Sequence, residues 1–179
     1  IGYDGFGQAL AGMGIATGDY DRDGKIDIFV TNFAYEFNNL YHCESPTGAE
    51  DLFFTDVTVE ADLGDPSYLY VGWGTTFFDA DNDGDLDLFV TNMSSTAGNR
   101  ILNRLFPSSN RKDNVLKKLA SGNTLFQKDG SLFEDVTEQV GPFPGGWAFG
   151  GVFVDIDNDG WEDLYAPNGF VSGETMKDT

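Results

Sequence analysis

The sequence predicts an all-β fold made of four-stranded antiparallel units, and three observations support this prediction. An acidic nine-residue segment occurs three times, at residues 19–27, 79–87 and 155–163. Each copy lies between short runs rich in Val, Phe and Thr, which favour β-strands. The copies start 60 residues apart (79 minus 19) and then 76 residues apart (155 minus 79), and repeats of several tens of residues are typical of β-propeller blades. The prediction is therefore β-propeller-type blades, about three of them in this chain.

Predicted strands on both sides of each acidic segment make that segment the turn of a β-hairpin. The first strands are expected at 12–18, 72–78 and 148–154, and the second strands at 27–32, 87–92 and 163–168. A glycine holds one register in the first strand of each pair, and glycine inside a strand marks a bulge or a close backbone approach. Two further sets of residues also share a register, and period-two spacing places each of these sets on one face of its strand. The three sets are Gly14, Gly74 and Gly150; Met13, Trp73 and Phe149; and Thr17, Phe77 and Phe153.

Two outer strands repeat after the first two hairpins, which completes four strands per unit. Residues 39–41 match 124–126, and residues 53–58 match 132–137. One region thus covers 1–179, with blades at about 12–58, 72–137 and 146–179, the last of them incomplete. An insertion at 94–122 carries six of the ten basic residues. Its residues 113–120 have the pattern of a short helix over the blade edge, and a contact site for an acidic partner is the alternative.

The acidic segments have the chemistry of a metal loop. Acidic residues stand at positions 1, 3, 5 and 9 of each segment, with glycine at position 6. Carboxylates this close repel each other unless a cation lies between them, and Ca²⁺ with six to eight oxygen ligands is the usual one. The glycine lets the loop turn sharply around the ion. An EF-hand would need Glu at position 12, where this chain has Val30, Val90 and Ala166.

At these residues the chain resembles FG-GAP/VCBS-repeat β-propellers. The loops resemble those of the integrin alpha propeller. The run GWGTTFFDADNDGDLDLFVTN, followed by NTLF and FEDVT, is similar to bacterial cartilage acidic protein-like (ASPIC/UnbV-associated) proteins. The resemblance implies about three Ca²⁺ per chain, each held by four carboxylates and the carbonyl of position 7. The implied ligands are Asp19, Asp21, Asp23, Lys25 and Asp27; Asp79, Asp81, Asp83, Asp85 and Asp87; and Asp155, Asp157, Asp159, Trp161 and Asp163.

Composition restricts the partners. The formal net charge is −20, and three bound Ca²⁺ would bring it to −14 (−20 plus 6), so nucleic acid and membrane insertion are not expected. Weak Ca²⁺ sites are typical of extracellular modules, which favours an extracellular or cell-surface location. The chain starts at Ile1 without Met and shows no signal peptide or membrane span, as expected for a processed or partial chain.

A few other residues carry weaker signals. His42 and Cys43 are the single His and Cys of the chain, so a zinc or nucleophilic site is not expected, and Cys43 is predicted to be a buried free thiol. Trp73 and Trp147 are predicted to pack in the core, with sugar stacking as the alternative. Asn92 begins an N-glycosylation tripeptide. Asn32, Asn92 and Asn168 follow the last Asp of each segment by five residues and are expected to hold the next turn.

The predicted function is a non-catalytic, extracellular calcium-binding repeat protein. Its role would be adhesion, binding or structural self-assembly, as a filament or ring subunit, with other protein chains or copies of itself as partners. The alternative is a carbohydrate-binding, lectin-like propeller, and less favoured is part of a polysaccharide-active enzyme. No enzyme activity is expected, because the grouped carboxylates belong to the metal loops and the sequence shows no Ser/His/Asp set or phosphate-binding loop.

Overall fold

The chain forms consecutive antiparallel sheets, each built from neighbouring stretches of sequence. The computed structural model describes residues 2–4, 7–93, 122–141 and 148–167. Unit 1 is a four-stranded sheet in the order β1-β2-β3-β4, unit 2 repeats it as β5-β6-β7-β8, and unit 3 is the pair β9-β10. The strands are β1 Ile15–Gly18, β2 Asp27–Val30, β3 Asn39–Cys43, β4 Phe54–Asp56, β5 Gly72–Phe78, β6 Asp87–Asn92, β7 Thr124–Asp129, β8 Leu132–Asp135, β9 Val152–Val154 and β10 Asp163–Tyr165.

The predicted hairpins are confirmed. The residue before each acidic segment pairs with the last residue of the segment: Gly18 with Asp27, Phe78 with Asp87, and Val154 with Asp163. Strands β1 and β9 begin three and four residues later than expected, at Ile15 and Val152 (15 minus 12; 152 minus 148). The expected all-β class is likewise confirmed. The described sheets do not close into a ring, so a propeller stays a proposal.

The fourth strands end earlier than predicted, and the reason is a side-chain turn. Strand β4 ends at Asp56 and β8 at Asp135, although both were expected to run two residues further. The carboxylates of Asp56 and Asp135 each accept a hydrogen bond, at 3.1 Å, from the backbone N–H two residues on. This Asx turn competes with the sheet ladder. After Asp135 the chain enters the short helix α2, Thr137–Val140; helix α1, Gly64–Ser67, precedes unit 2.

Neighbouring units pack face to face in the same sense at both junctions. Between units 1 and 2, Phe29 and Leu40 share a buried core with Leu88 and Phe126. Between units 2 and 3, the matching residues of unit 2, Phe89 and Leu125, form a second core with Phe78, against which Phe153 and Leu164 of unit 3 pack. The Phe78 and Phe153 rings are stacked with centroids 3.5 Å apart. One face of unit 2 therefore packs against unit 1 and its opposite face packs against unit 3.

Gly14 and Gly74 lie at close backbone contacts between units, as predicted, whereas a Cβ added at Gly150 would meet nothing within 4 Å. A Cβ added at Gly14 would overlap the Trp73 carbonyl oxygen of unit 2, and one added at Gly74 would lie 2.5 Å from the Phe149 carbonyl oxygen of unit 3. Thr31 and Thr91 support these contacts: the Thr31 hydroxyl donates to the Trp73 carbonyl at 2.7 Å, and the Gly74 N–H donates to the Thr91 hydroxyl at 2.8 Å. Only glycine allows backbones to approach this closely.

Some predicted features lie outside the described residues. They include the possible helix at 113–120, all of the insertion except Gly122, Trp147 and Asn168. Within the described part of the chain, neither helix has the length or apolar character required to span a bilayer.

Candidate metal sites

The three acidic segments share one backbone conformation at matching positions. We refer to residues 19–27, 79–87 and 155–163 as loops 1, 2 and 3 and number their positions 1 to 9. The residue at position 4 is left-handed in every loop, with φ of 61° at Arg22, 59° at Asn82 and 60° at Asn158. Glycine at position 6 is also left-handed, with φ between 83° and 91°. Two left-handed residues turn the chain tightly, and Asn or Gly tolerates that conformation best.

Backbone N–H groups orient the carboxylates inside each loop. The carboxylate at position 1 accepts a hydrogen bond from the glycine N–H at position 6, at 2.9 to 3.0 Å in all three loops. The position 3 carboxylate accepts from the N–H at position 5 at 3.2 Å. The position 5 carboxylate accepts from the N–H at position 7 at 2.7 to 2.9 Å. Three acidic side chains are thereby turned toward the centre of the loop.

The aspartate at position 9 is held from two sides where an outer strand covers the loop. Asp27 accepts hydrogen bonds from Tyr20 N–H at 3.3 Å and Cys43 N–H at 2.8 Å. Asp87 accepts from Ala80 N–H and Lys128 N–H, both at 2.8 Å. Burial raises the pKa of both carboxyls above the usual 3.8, although these donors oppose the shift. In loop 3, Asp163 is exposed and accepts from Ile156 N–H at 3.1 Å.

The geometry groups three of the five predicted ligands in each loop. One oxygen from each of three carboxylates lies within 4.8 Å of the others, in groups that take positions 1, 3 and 5 in loop 1 and positions 1, 3 and 9 in loops 2 and 3. In addition, the Asp19 Oδ1 atom is buried and has no hydrogen-bond partner. Two unit charges about 5 Å apart repel by roughly 3 kcal/mol at an effective dielectric of about 20. Such groups could hold a metal ion, and a cation would remove the repulsion.

Loop 1 differs from the other loops through His42 on β3, a contact that the sequence reasoning missed. The Nδ1 atom of His42 lies 3.3 Å from Asp21 Oδ2 and 3.2 Å from Asp27 Oδ1, so Asp21, Asp27 and His42 form a second possible metal group. The Lys25 ammonium pairs with Asp23 at 2.6 Å, and this hydrogen bond lowers the pKa of Asp23. No signal in the sequence alone locates His42, because the pairing of β3 with β2 places it beside Asp27.

The corresponding residue of unit 2 is Gln127 on β7. Its amide donates a short hydrogen bond to Asp81, so the same strand position reaches position 3 in both loops. Lys128, largely buried, lies with its ammonium 3.5 Å from Asp85 at position 7. The Gln127 amide beside loop 2 and the His42 imidazole beside loop 1 therefore occupy equivalent places next to matching carboxylates.

Neighbouring loops also touch one another. The guanidinium of Arg22, at position 4 of loop 1, pairs with the Asp85 carboxylate of loop 2 at 2.8 Å. The side-chain amide of Asn82, at position 4 of loop 2, donates to the Gly160 carbonyl of loop 3 at 3.2 Å. The three loops therefore line one edge of the stacked units, each joined to the next by the side chain at its fourth position.

Several other sequence predictions can be placed. Cys43 is a buried free thiol, as expected. Asn32 donates to the Phe37 carbonyl at 2.6 Å and Asn92 to the Gly122 carbonyl at 3.1 Å, so both hold the segment after their strand. Asn92 is fully buried and makes a poor glycosylation acceptor in the folded chain. Trp73 is half-buried, with its ring centroid 5.1 Å from that of Phe149, which agrees with packing between units.

The fold and loops thus define an all-β repeat protein with acidic hairpin sites that could hold metal. No protein-family model matches the chain. It is similar to cartilage acidic protein 1 of Mus musculus, with 29% identity over 160 residues, and of Homo sapiens, with 27% identity over 162 residues. These alignments cover 88% of this chain but 21% and 20% of the two relatives. The chain therefore spans about a fifth of the length of the curated relatives that it matches.

Proposed function

We propose that this chain is a non-catalytic, extracellular calcium-binding repeat protein whose acidic loops each bind one Ca²⁺. The observation that supports the proposal most strongly is the threefold recurrence of one loop geometry, with the same left-handed positions and the same carboxylate hydrogen bonds. Solvated acidic surfaces have no reason to repeat such a geometry. The ligands would be the carboxylates at positions 1, 3, 5 and 9 and the carbonyl at position 7.

The donor set favours Ca²⁺ over other metals. All proposed ligands are oxygens, which suit hard cations, whereas Zn²⁺ in proteins takes mainly nitrogen and sulfur ligands. Ca²⁺ binds oxygen at about 2.3 to 2.6 Å, so opposed oxygens lie about 5 Å apart. The observed upper limit of 4.8 Å between the carboxylate oxygens is compatible with that spacing. Four carboxylates and a carbonyl exceed what Mg²⁺ usually takes from a protein, since Mg²⁺ keeps several waters.

Each ion would fasten a hairpin of a propeller-type blade of the FG-GAP/VCBS kind. The succession of two four-stranded units and the similarity to cartilage acidic protein 1 support this interpretation. Without an ion, the carboxylates of a loop would repel each other, so the loop would open and the unit junctions would weaken. Binding to the folded state alone stabilises by about 2.7 kcal/mol per site when free Ca²⁺ is about 100 times the dissociation constant.

A thermal melt with and without Ca²⁺ tests this proposal. We expect excess EGTA to lower the melting temperature of the chain, Ca²⁺ to restore it, and Mg²⁺ at equal concentration to restore it less. The Asp81→Asn variant should lose part of the Ca²⁺ effect, whereas the control Asp51→Asn, an exposed aspartate outside the loops, should keep all of it. A melting curve that is the same in EGTA and Ca²⁺ would show that the loops do not bind the ion.

The expected partners are other protein chains. A net charge of −20 argues against nucleic acids and anionic membranes, and Ca²⁺ sites that fill at extracellular concentrations suit a secreted or cell-surface protein. The role would be adhesion, binding or structural assembly. The loop carboxylates point to metal binding and not to acid–base chemistry, which favours a non-catalytic protein.

Carbohydrate binding is the second candidate, and a cleft on unit 1 favours it. The cleft has a volume of about 440 Å³, and Tyr3, Phe53 and Asp4 are among the residues that line it. The Phe53 ring is largely exposed, and aromatic rings pack on the apolar faces of sugars. A glycan array with the wild-type chain and the Phe53→Ala variant separates the candidates: sugar binding requires specific signals that the variant loses.

A further inference from the structure

Loop 1 is the acidic loop that has an imidazole beside its carboxylates. His42 lies on β3, the strand that pairs with β2 directly after the loop. Its Nδ1 atom is 3.2 Å from Asp27 Oδ1 and 3.3 Å from Asp21 Oδ2. These two aspartates stand at positions 9 and 3 of the loop. Because His42 is the single histidine of the chain, loops 2 and 3 have no such neighbour from this chain.

The Nδ1 atom of His42 is buried and forms no hydrogen bond. Buried polar atoms in proteins almost always have a partner. Two carboxylate oxygens lie close enough to accept a hydrogen bond from Nδ1, but their directions do not fit one. A metal site produces this arrangement, because the ion lies on the bonding axis of the ring nitrogen and the other ligands lie to the side of that axis.

The separations match those between ligands of one small metal ion. Zn²⁺ binds His nitrogen and Asp oxygen at about 2.0 to 2.1 Å, so two of its tetrahedral ligands lie about 3.3 Å apart. The Nδ1 atom of His42 has nearly this distance to both aspartate oxygens. The Asp21 side chain is 32% exposed, so an ion can reach the group from solvent. Three protein ligands and a water make up a common form of zinc site.

The imidazole is held on its other sides. The Tyr20 ring packs edge-on against it, with centroids 6.3 Å apart and planes at 86°. Asp23 Oδ2 lies 4.0 Å from the Nε2 atom, on the side where a histidine that ligates through Nδ1 carries its N–H. Ligating histidines usually have a carboxylate or carbonyl near that N–H, which fixes the tautomer and the ring orientation.

A lysine makes loop 1 the poorest of the three loops for Ca²⁺. The Lys25 ammonium lies 2.6 Å from Asp23 and 3.0 Å from the Cys43 carbonyl. Position 7 is Asp85 in loop 2 and Trp161 in loop 3, so loop 1 alone has a cation there. An ammonium on the position 5 carboxylate competes with Ca²⁺, which needs six to eight oxygen ligands. An ion that takes fewer ligands and accepts nitrogen loses less by this competition.

Unit 2 provides a matched loop without the imidazole. Gln127 has the place of His42, and its side-chain amide reaches Asp81 at position 3 of loop 2. An amide offers a metal only its oxygen, which suits hard cations such as Ca²⁺. An imidazole offers nitrogen, which suits Zn²⁺, Cu²⁺ and Ni²⁺. Loops 1 and 2 therefore differ at this position in the metal that they favour.

We propose that loop 1 is a site for a divalent transition metal such as Zn²⁺, with His42 Nδ1, Asp21 and Asp27 as its ligands. The sequence argued against zinc because it has a single His and a single Cys, but the loop supplies the remaining ligands as carboxylates. The metal would displace Ca²⁺ from loop 1 and leave loops 2 and 3 to Ca²⁺.

This inference rests on the proposed function in one respect only, that loop 1 binds metal. The two claims fail separately. Ca²⁺ content in the absence of Zn²⁺ tests the proposed function, and the dependence of Zn²⁺ content on His42 tests the selectivity of loop 1.

Competition between the two metals provides the test, on a chain without a histidine tag because a tag would itself bind Zn²⁺. The metal-stripped chain receives one equivalent of Zn²⁺ in excess Ca²⁺, and elemental analysis follows removal of free ions. We expect wild type to retain one Zn²⁺ per chain and His42→Gln to retain none. The melting temperature of His42→Gln in Ca²⁺ should remain that of wild type, since unit 2 accommodates Gln127 at the same place.

The reciprocal variant tests for a gain. Gln127→His gives loop 2 the imidazole of loop 1, so the chain should retain two Zn²⁺ when two equivalents are supplied, whereas wild type should still retain one. The single histidine of wild type adds a direct readout by nitrogen NMR. One equivalent of Zn²⁺ should shift the Nδ1 signal of His42 as metal coordination does, and Ca²⁺ should not.

Two results would overturn the inference: a Zn²⁺ content in His42→Gln equal to that of wild type, or an Nδ1 signal that Zn²⁺ leaves unchanged. A wild-type chain that retains three Ca²⁺ and no Zn²⁺ would also overturn it, while leaving the proposed function intact. Zn²⁺ bound at His42 in a chain that retains no Ca²⁺ would support the inference and contradict the proposed calcium sites.

Discussion

At the scale of single residues, the aspartates at position 9 show the conflict between folding and charge most clearly. Asp27 and Asp87 are almost completely buried. Backbone N–H groups donate to both carboxylates and other aspartates lie nearby, and His42 also lies 3.2 Å from Asp27. Burial favours the neutral carboxyl, and that is why their pKa values rise. A cation in the loop would reverse the balance, because it stabilises the ionised form.

The raised pKa values predict that the metal-stripped protein becomes less stable as pH rises. Between the ordinary pKa of 3.8 and the raised value, the folded state binds more protons at Asp27 and Asp87 than the unfolded state does. The free energy of unfolding should therefore fall as pH rises through this window. Asp23, whose pKa is lowered, acts only below 3.8. Urea denaturation from pH 4 to pH 7 measures this slope.

Two further denaturation measurements test this assignment to Asp27 and Asp87. The Asp87→Asn variant, which cannot ionise, should show a flatter pH dependence than wild type. In saturating Ca²⁺ the slope of the wild-type chain should reverse, since the ion binds only ionised carboxylates. A metal-stripped chain whose free energy of unfolding rises with pH through this window would contradict the electrostatic account of the two aspartates.

The glycines give a second prediction at the residue scale. Gly74→Ala should destabilise the chain by about 1 to 3 kcal/mol, a typical cost of overpacking, because the new Cβ would lie 2.5 Å from Gly150 Cα and from the Phe149 carbonyl oxygen. The matched variant Gly150→Ala makes the same change at the aligned glycine of unit 3, where the new Cβ would have nothing within 4 Å. It should be neutral when measured by urea denaturation of the monomer. Equal destabilisation by the two variants would show that the junction is not the cause.

At the scale of elements, the threonine after the first hairpin joins unit 1 to unit 2. Thr31 is fully buried; its hydroxyl accepts from Gly14 N–H at 2.8 Å and donates to the Trp73 carbonyl at 2.7 Å. Thr91 repeats one part of this pattern within unit 2, where its hydroxyl accepts from Gly74 N–H at 2.8 Å. In unit 3 the corresponding residue is Pro167, which has no hydroxyl to offer.

This contact predicts a cost for an almost isosteric substitution. Thr31→Val keeps the shape of the side chain but leaves the Gly14 N–H and the Trp73 carbonyl without this partner. Leaving a buried polar group unsatisfied costs about 1 to 3 kcal/mol. Thr55→Val, at an exposed position of β4, should change the free energy of unfolding by much less. If the two variants have the same stability in urea denaturation, the threonine does not hold the junction.

The hairpins could be predicted from sequence because their information is local. Acidic residues at fixed positions, glycine at position 6 and β-branched flanks specify a turn between two strands without reference to the rest of the chain. The in-register glycines were also found, since a strand glycine implies a close neighbour. The D-V-T segments were misassigned as strand because both readings fit the pattern locally. Only the structure shows the Asp56 and Asp135 side chains bonding the backbone two residues on.

Contacts between distant segments could not be predicted. The position of His42 beside loop 1 depends on the register of β3 against β2, which pairs Ile28 with Tyr41, and a shift of one residue would turn His42 to the other face. The contacts of Arg22 and Asn82 with the following loops depend on how whole units stack. Sequence periodicity predicts the units but does not identify the side chains that join them.

At the scale of the whole molecule, charge and topology lead to one account. The chain carries a net charge of −20, and fourteen of its 30 acidic residues lie in the three loops. The loops lie along one edge and are linked in sequence, from Arg22 to Asp85 and from Asn82 to Gly160. Ions bound there would neutralise the most concentrated charge of the chain and fix the edge on which successive units align.

The metal content of the purified chain tests this account most directly. After equilibration with Ca²⁺ and removal of free ion, elemental analysis should give three Ca²⁺ per chain. Asp-to-Asn substitution at positions 1 and 3 of a single loop, for example Asp79 and Asp81, should reduce this to two, while Asp51→Asn should leave it at three. A wild-type chain that retains no Ca²⁺, or a loop 2 variant that retains as much as wild type, would contradict the claim that these loops are calcium sites.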